Sequence, residues 1–261
     1  MKKLFFIFIF LYFCILTGCV GKYVDLYIDP YQAYRGKTST ELFTAGERAL
    51  TKKNYAEAIK NFEALDVVYP FDFYTQQAQL DIIYAYYKSR DIASANVAAD
   101  RYVCLYPQGH YADYAYYMRG IINFGSELSL IQKLVGVNPA SLDISILQQS
   151  YKAFATLIDM FPKSPYAPDA LIRMKHIQNL MAQREIMIAQ FYLKRHAYVA
   201  AANHATYVVQ NFQDSPEEVT QGFMIMIQAY RALDLPKMAD FSYRLFKISY
   251  PNSPNLQKLR G

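Results

Sequence analysis

Asn54-Tyr55-Ala56-Glu57-Ala58-Ile59-Lys60-Asn61-Phe62-Glu63-Ala64-Leu65-Asp66-Val67-Val68-Tyr69-Pro70 is the stretch on which the fold turns. Asn54 is a residue type that caps helices. An apolar pattern of helical period follows, and an aromatic-proline pair ends it, because proline cannot continue a helix. The same ending recurs at Tyr106-Pro107, Phe161-Pro162 and Tyr250-Pro251, and Phe212-Gln213 holds the equivalent place with its proline displaced to Pro216. The marks are spaced by 37, 55, 51 and 38 residues, and self-similarity at such a period signals stacked helical repeats.

The tetratricopeptide pattern fits this period best. Counting back from Pro70 puts Gly46, Ala58 and Phe62 at its small, small and aromatic packing positions. Pro107 gives Tyr86, Ala95, Ala99 and Tyr102; Pro251 gives Tyr230, Ala239, Tyr243 and Phe246; Phe212 gives Tyr192, Ala201 and Ala205. Small residues on the second helix of a pair let the first approach, and aromatic rings fill the space beside them. The expected fold is all-α, a tetratricopeptide α-α superhelix of about five repeats over residues 40–255. Their expected bounds are 40–71, 73–108, 111–162 with an insertion at 125–145, 166–213 and 216–251, before a tail at 256–261. Asn54-Tyr55 and Arg90-Asp91 divide the helices of the first two repeats. Ser164-Pro165, Ser215-Pro216 and Ser253-Pro254 read as N-cap serines with proline at the first helical position, and Ser215 with Glu218 has capping-box spacing. Residues 166–194 read as one long helix, with Pro168 in its first turn.

Ahead of the repeats, Met1-Lys2-Lys3 and the apolar run Leu4–Leu16 form a secretory signal. That run is 13 residues, and a membrane-spanning helix needs roughly 20. Leu16-Thr17-Gly18-Cys19 resembles the lipobox of bacterial lipoproteins. The resemblance implies cleavage before Cys19 and acylation of its thiol; the alternative is an ordinary cleaved signal with a coincidental cysteine. Residues 1–18 are then the signal peptide, and 19–39 a lipidated N-terminus and tether. Val20 follows the cysteine, rather than the aspartate that retains many lipoproteins in the inner membrane.

The 243 residues after the signal carry 25 basic and 22 acidic side chains and no basic run of the kind that binds nucleic acid. With Cys14 in the signal and Cys19 at the lipid site, only Cys104 remains, so an internal disulfide is excluded and packing must stabilise the fold. Aromatic side chains supply that packing: the full sequence has 25 Tyr and 17 Phe without a Trp, all but Tyr12 and five Phe lying beyond the signal. His110, His176, His196 and His204 form no His-x-x-x-His pair, and no Gly-rich phosphate loop or Gly-x-Ser-x-Gly motif is present. An enzyme is not expected, and neither is a metal or a cofactor beyond the lipid on Cys19.

Two segments resemble one family. They are Tyr69-Pro70-Phe71, Tyr74, Gln77 and Gln79-Leu80-Asp81-Ile82-Ile83-Tyr84-Ala85-Tyr86-Tyr87-Lys88, and then Asp113-Tyr114-Ala115-Tyr116-Tyr117-Met118-Arg119-Gly120. Both are similar to the BamD (ComL) lipoproteins of the outer-membrane β-barrel assembly machinery, as is Leu134-Val135-Gly136-Val137. The resemblance implies a scaffold anchored on the periplasmic face of the outer membrane. It implies as partners a BamA-like barrel protein with periplasmic domains, other lipoproteins of the complex and unfolded outer-membrane proteins. A different tetratricopeptide lipoprotein, a pilotin for secretin or pilus assembly, is the alternative.

Tyr74, Gln77, Asp81, Tyr84 and Lys88 recur at three- and four-residue steps and share one helix face. Polar groups interleaved with tyrosine suit a peptide backbone and an apolar side chain, so these five are the candidate peptide-binding groove. Inter-repeat packing is the competing reading for Tyr84 and Tyr87, and equally for Tyr114, Tyr116 and Tyr117. Met224 and Met226 read as core or interface filler.

Overall fold

The computed structural model describes residues 29–133 and 144–259. Cys19 and the signal peptide lie outside the described residues. The chain divides into two units, Met1–Lys37 and Thr38–Gly261. In the first, a 3-10 turn at Gln32–Tyr34 is pinned by Asp29, which accepts from the Tyr31 amide at 2.9 Å and from Arg35 Nε at 2.8 Å. The expected tether thus contains a defined turn.

The second unit is helical throughout its regular elements. They are α1 (Ser39–Thr51), α2 (Tyr55–Val68), α3 (Phe73–Ser89), α4 (Ile92–Leu105), α5 (Ala112–Lys133), α6 (Ile144–Met160), α7 (Ala167–Lys194), α8 (Tyr198–Asn211), α9 (Pro216–Ala232), α10 (Pro236–Ser249) and α11 (Pro254–Gln257). Helices α1 to α9 each pack on the next in sequence; α1 also meets α3, α3 meets α5, α7 meets α9, and α9 meets the short α11. This is the stacked helix-pair arrangement that the period predicts.

The turns repeat as faithfully as the helices. Within a pair, Lys53, Arg90, His196 and Asp234 all take positive φ, between 55° and 67°. After each, the next residue's amide reaches back five residues: Asn54 to Ala49 O, Asp91 to Tyr86 O, Ala197 to Tyr192 O and Leu235 to Tyr230 O, all within 2.9–3.0 Å. This is the Schellman ending, and it satisfies carbonyls that a helix end leaves open. Between pairs, Tyr69, Tyr106, Phe212 and Tyr250 share φ from −124° to −135° and ψ from 45° to 61°. Thr38 and Glu41 form a reciprocal capping box on α1, and Asn54, Asp72 and Asp91 cap α2, α3 and α4 with side-chain oxygens.

Most of the expected packing positions are core, while Tyr86, Tyr192, Tyr230 and Tyr243 are half-buried against it. Ala58, Phe62, Ala95, Ala99, Tyr102, Ala201, Ala205, Ala239 and Phe246 are all buried. Gly46 lies against the Phe62 ring and Gly120 against the Phe154 ring, so closely that a Cβ on either glycine would overlap the ring. Met226 is buried with Ile225 and Phe223 in the C-terminal cluster, and Met224 packs on its edge.

Three expectations are corrected. Ser164 does not cap the long helix: Tyr166 precedes α7, and the Ser164 hydroxyl donates to Asp113 Oδ2 at 2.7 Å and accepts from the Tyr166 amide. Ser215 does precede α9 with Pro216 at its first position, but the capping box is not formed. Its hydroxyl donates to Asn179 Oδ1 at 2.6 Å, while Glu218 accepts from Gln183 Nε2 at 3.0 Å, so both side chains tie α9 to α7. The tail does not begin at 256, because Leu256 on α11 is buried in the C-terminal cluster; Ser253 caps that short helix as expected. Of the expected insertion at 125–145, helix α5 takes the first part to Lys133 and α6 starts at Ile144; residues 134–143 lie outside the described residues.

Candidate functional site

Helix α3 is polarised by its sequence. Thr75, Ala78, Leu80, Ile82, Ile83 and Ala85 turn into the stack and are buried. Tyr74, Gln77, Asp81 and Tyr84 stay half-buried on the other side, and Lys88 is exposed at the end of the row. The five residues read from the sequence are therefore brought together on one face. Gln77 Nε2 donates to both Asp81 oxygens at 3.1 Å. Lys88 Nζ lies 5.4 Å from the centre of the Tyr84 ring and 5.9 Å from that of Tyr87.

Neighbouring helices extend this row. From α1, Phe43 stacks on Tyr74 with ring centres 4.8 Å apart, and Glu47 stands beside Asp81. Tyr55, the first residue of α2, meets Tyr84 edge-on at 6.5 Å. From α5, Tyr114 lies near Asp81 and Tyr84, and its hydroxyl is pushed well above the usual tyrosine range, by burial first and then by the Asp81 charge. Tyr117 stacks on Tyr166 at 4.8 Å and donates to Asp169 Oδ2 on α7 at 2.6 Å. Burial disfavours the Asp169 charge, yet hydrogen bonds from Arg173 and Tyr117 hold its carboxyl below the usual range. The result is a half-buried aromatic and polar strip along α1, α3, α5 and the start of α7.

Asp81 is the electrostatic centre of the strip. Burial pushes its carboxyl up to about 7; the Gln77 donor opposes the shift, and Glu47 adds to it. Glu47 Oε1 is buried with no hydrogen-bond partner among the described residues. A proton on Asp81 would supply that oxygen with a donor.

At the α3 N-terminus the strip opens into a cleft of about 650 Å³, lined by Phe43, Phe71, Phe73, Tyr74, Tyr106 and Tyr111 among others. Phe71, on the turn between α2 and α3, is 99% exposed, and Phe73, the first residue of α3, is 89% exposed. Rings of that size left in water mark an interaction site rather than a packing error.

Not every expected tyrosine belongs here. Tyr116 is buried and packs on Phe161, and Tyr87 packs against the core between α3 and α5; both have structural positions. Phe43, Glu47, Tyr166, Asp169 and Arg173 were missed by the sequence reading. The four-residue spacings Phe43/Glu47 and Asp169/Arg173 were the available signal, but only packing shows that they join the α3 row. His110, His176, His196 and His204 each lie against an aromatic ring, and His204 Nδ1 is 2.7 Å from Glu185 Oε2. Among the described residues there is no group of three or more His, Cys, Asp or Glu placed to hold a metal ion, and no helix long and apolar enough to cross a membrane.

Residues 35–245 match the model of the YfiO family, described as outer membrane lipoprotein. The outer membrane protein assembly factor BamD of Neisseria meningitidis serogroup B is 35% identical over 218 residues, 84% of this chain and 81% of the relative. BamD of Haemophilus influenzae is 32% identical over 226 residues, 83% and 86% of the two chains. BamD of Xylella fastidiosa strain Temecula1 is 31% identical over 245 residues, 94% and 81%. A family match over most of the helical unit, joined by relatives aligned over more than four fifths of their length, places this chain in the YfiO/BamD family of outer membrane lipoproteins.

Proposed function

We propose that this chain is a lipid-anchored scaffold subunit of the machinery that assembles β-barrel proteins into the outer membrane, facing the periplasm and held by acylated Cys19. Its partners on this reading are a BamA-like barrel protein with periplasmic domains, the other lipoproteins of that complex and unfolded outer-membrane proteins. It makes and breaks no bond; it holds components together and presents a segment of substrate. Relatives named as assembly factors favour this over the pilotin alternative.

One observation supports the substrate role above others. The strip from Phe43 to Lys88 sets an aromatic cleft beside a row of hydrogen-bonding groups, with Gln77 and Asp81 offering both donor and acceptor. Tyr74 and Asp81 are seven residues apart, roughly 10 Å along a helix, which is about three residues of an extended strand. A bound segment would place an aromatic side chain in the cleft and its backbone against Gln77 and Asp81.

The test is a photo-cross-linking residue in place of Tyr84 in the full lipidated chain. It should trap the C-terminal segment of an unfolded outer-membrane protein. Finding no trapped substrate while the complex can still be isolated would remove the groove reading. Pulling down a secretin rather than a barrel protein with periplasmic domains would remove the scaffold reading. Cys19→Ser should give an unacylated, mislocalised chain whose repeats still fold.

A further inference from the structure

Away from the strip, α4, α5 and α6 enclose a second cavity of about 360 Å³ that shares none of its residues. Each helix contributes one row: Asn96 and Asp100 from α4, Arg119 and Asn123 from α5, and Gln149, Lys152 and Thr156 from α6. Ala153 is the one apolar side chain among the described residues that line it. Its size falls in the lower part of the usual range for ligand pockets, but its lining is polar where most are apolar.

Two contacts fix the walls. Arg119 Nε pairs with Asp100 Oδ1 at 2.7 Å, and Asn96 Nδ2 donates to Asn123 Oδ1 at 3.1 Å. These bridge α4 to α5 and hold both rows in register. The α6 row is different. Among the described residues, the Lys152 ammonium makes no ion pair and the Gln149 carboxamide no hydrogen bond, while Thr156 donates locally to the Lys152 carbonyl at 2.9 Å. An ammonium unpaired among the described residues and a guanidinium therefore face one polar slot beside three carboxamides. Lys and Arg donate to carboxylates, and carboxamides can meet both the N–H and the C=O of a peptide backbone.

We propose that this slot binds an extended acidic segment of another polypeptide. One side-chain carboxylate lies between Lys152 and Arg119, and the peptide groups flanking it hydrogen-bond to Gln149 and Asn96. The occupant is a peptide rather than a lone anion, because three of the slot's side chains are neutral amides. Asp100, already committed to Arg119, sits at the rim and disfavours a dianion. The slot would give the scaffold a second contact point on helices the strip does not use.

The probe is an acetylated and amidated octapeptide of alternating glutamate and serine, titrated calorimetrically against the full lipidated chain in detergent. A glutamine-serine peptide of the same length is the control. The acidic peptide should bind at least about tenfold more tightly than the control, and raising salt from about 50 to 300 mM should weaken it severalfold. Lys152→Glu should abolish the preference and Lys152→Arg retain it, with unchanged melting in both, since Lys152 is exposed. No saturable binding, equal binding of the two peptides, or indifference to Lys152→Glu would each overturn the proposal. So would displacement by inorganic sulfate at the concentrations at which the peptide binds, since that describes an anion site. None of these results depends on cross-linking at Tyr84.

Discussion

Helices α3 and α9 occupy the same stage of their repeats, yet their side chains face opposite demands. Both run 17 residues and both end at a Schellman turn closed onto a tyrosine carbonyl, Tyr86 in one and Tyr230 in the other. Five residues before that tyrosine stands Asp81 in α3 and Ile225 in α9. Asp81 is half-exposed in a polar strip; Ile225 is 4% exposed in the C-terminal cluster. The neighbours match the difference. Asp81 sits among Gln77, Glu47 and Tyr114, whereas α9 packs into a cluster containing Ile186, Val208, Phe223 and the stacked rings of Phe223 and Phe246. One repeat geometry thus carries a half-buried polar strip at one end and an apolar cluster at the other, and the choice is written in side chains rather than in backbone.

The harshest way to break that comparison is to move the carboxylate. Ile225→Asp would bury a charge among apolar groups with no donor provided for it. It should destabilise the chain by about 3–5 kcal/mol, read as a fall in the urea midpoint. A loss below about 1 kcal/mol would show that the C-terminal cluster is wetter than its burial indicates. A smaller effect is expected at the tight joint between α5 and α6. Gly120→Ala forces a methyl into the Phe154 ring and should cost about 1–3 kcal/mol, since the ring is fully buried and cannot move aside cheaply. A neutral result would mean that the ring tilts, and that the small-residue rule does not govern this joint.

The corresponding joint between α1 and α2 was legible in the sequence because it is local. Gly46, Ala58 and Phe62 follow from a count back from Pro70, since helical period and the proline stop fix both register and face. The turn serines were less legible for a physical reason. A Ser-Pro pair fixes a backbone conformation, but not which group the hydroxyl meets. Ser215 chose Asn179, 36 residues away, over its own helix. The site divides likewise. Gln77, Asp81 and Tyr84 share a face by spacing alone. Glu47, Tyr166 and Asp169 join them through helix-helix packing, which no spacing within one helix encodes.

Asp81 supplies the next test, through pH. The folded chain holds the carboxyl near 7 by burial, with Glu47 adding to the shift, whereas the unfolded chain releases that proton near 3.8. Between those values the folded state binds more protons than the unfolded state. The stability linked to this group is therefore complete below about pH 4 and is lost as pH rises towards 7. Asp81→Asn removes that loss and keeps an acceptor for Gln77. The variant should match the parent at pH 4 and exceed it at pH 8 by about 1–2 kcal/mol, after allowance for solvent screening at a half-buried site. An equal difference at both pH values would mean that Asp81 does not carry the titration, and that the strip is less dry than α3 places it.

The smallest effect tests whether the two ends share a backbone. Arg90 after α3 and Asp234 after α9 both hold positive φ, 67° and 55°, and both are exposed. That conformation costs a residue with a Cβ about 1–2 kcal/mol, and glycine avoids it while giving back some entropy in the unfolded chain. Arg90→Gly and Asp234→Gly should therefore each raise stability, by about 0.5–1 kcal/mol, and by the same amount. Equality is the informative outcome. Each turn is closed by the same five-residue hydrogen bond, so a shared gain would locate the difference between the polar end and the apolar end wholly in side chains. A gain at Asp234 with none at Arg90 would instead mean that α3 ends under a constraint its own turn does not provide. The strip would then shape the backbone beneath it, and the repeat would not be a neutral frame.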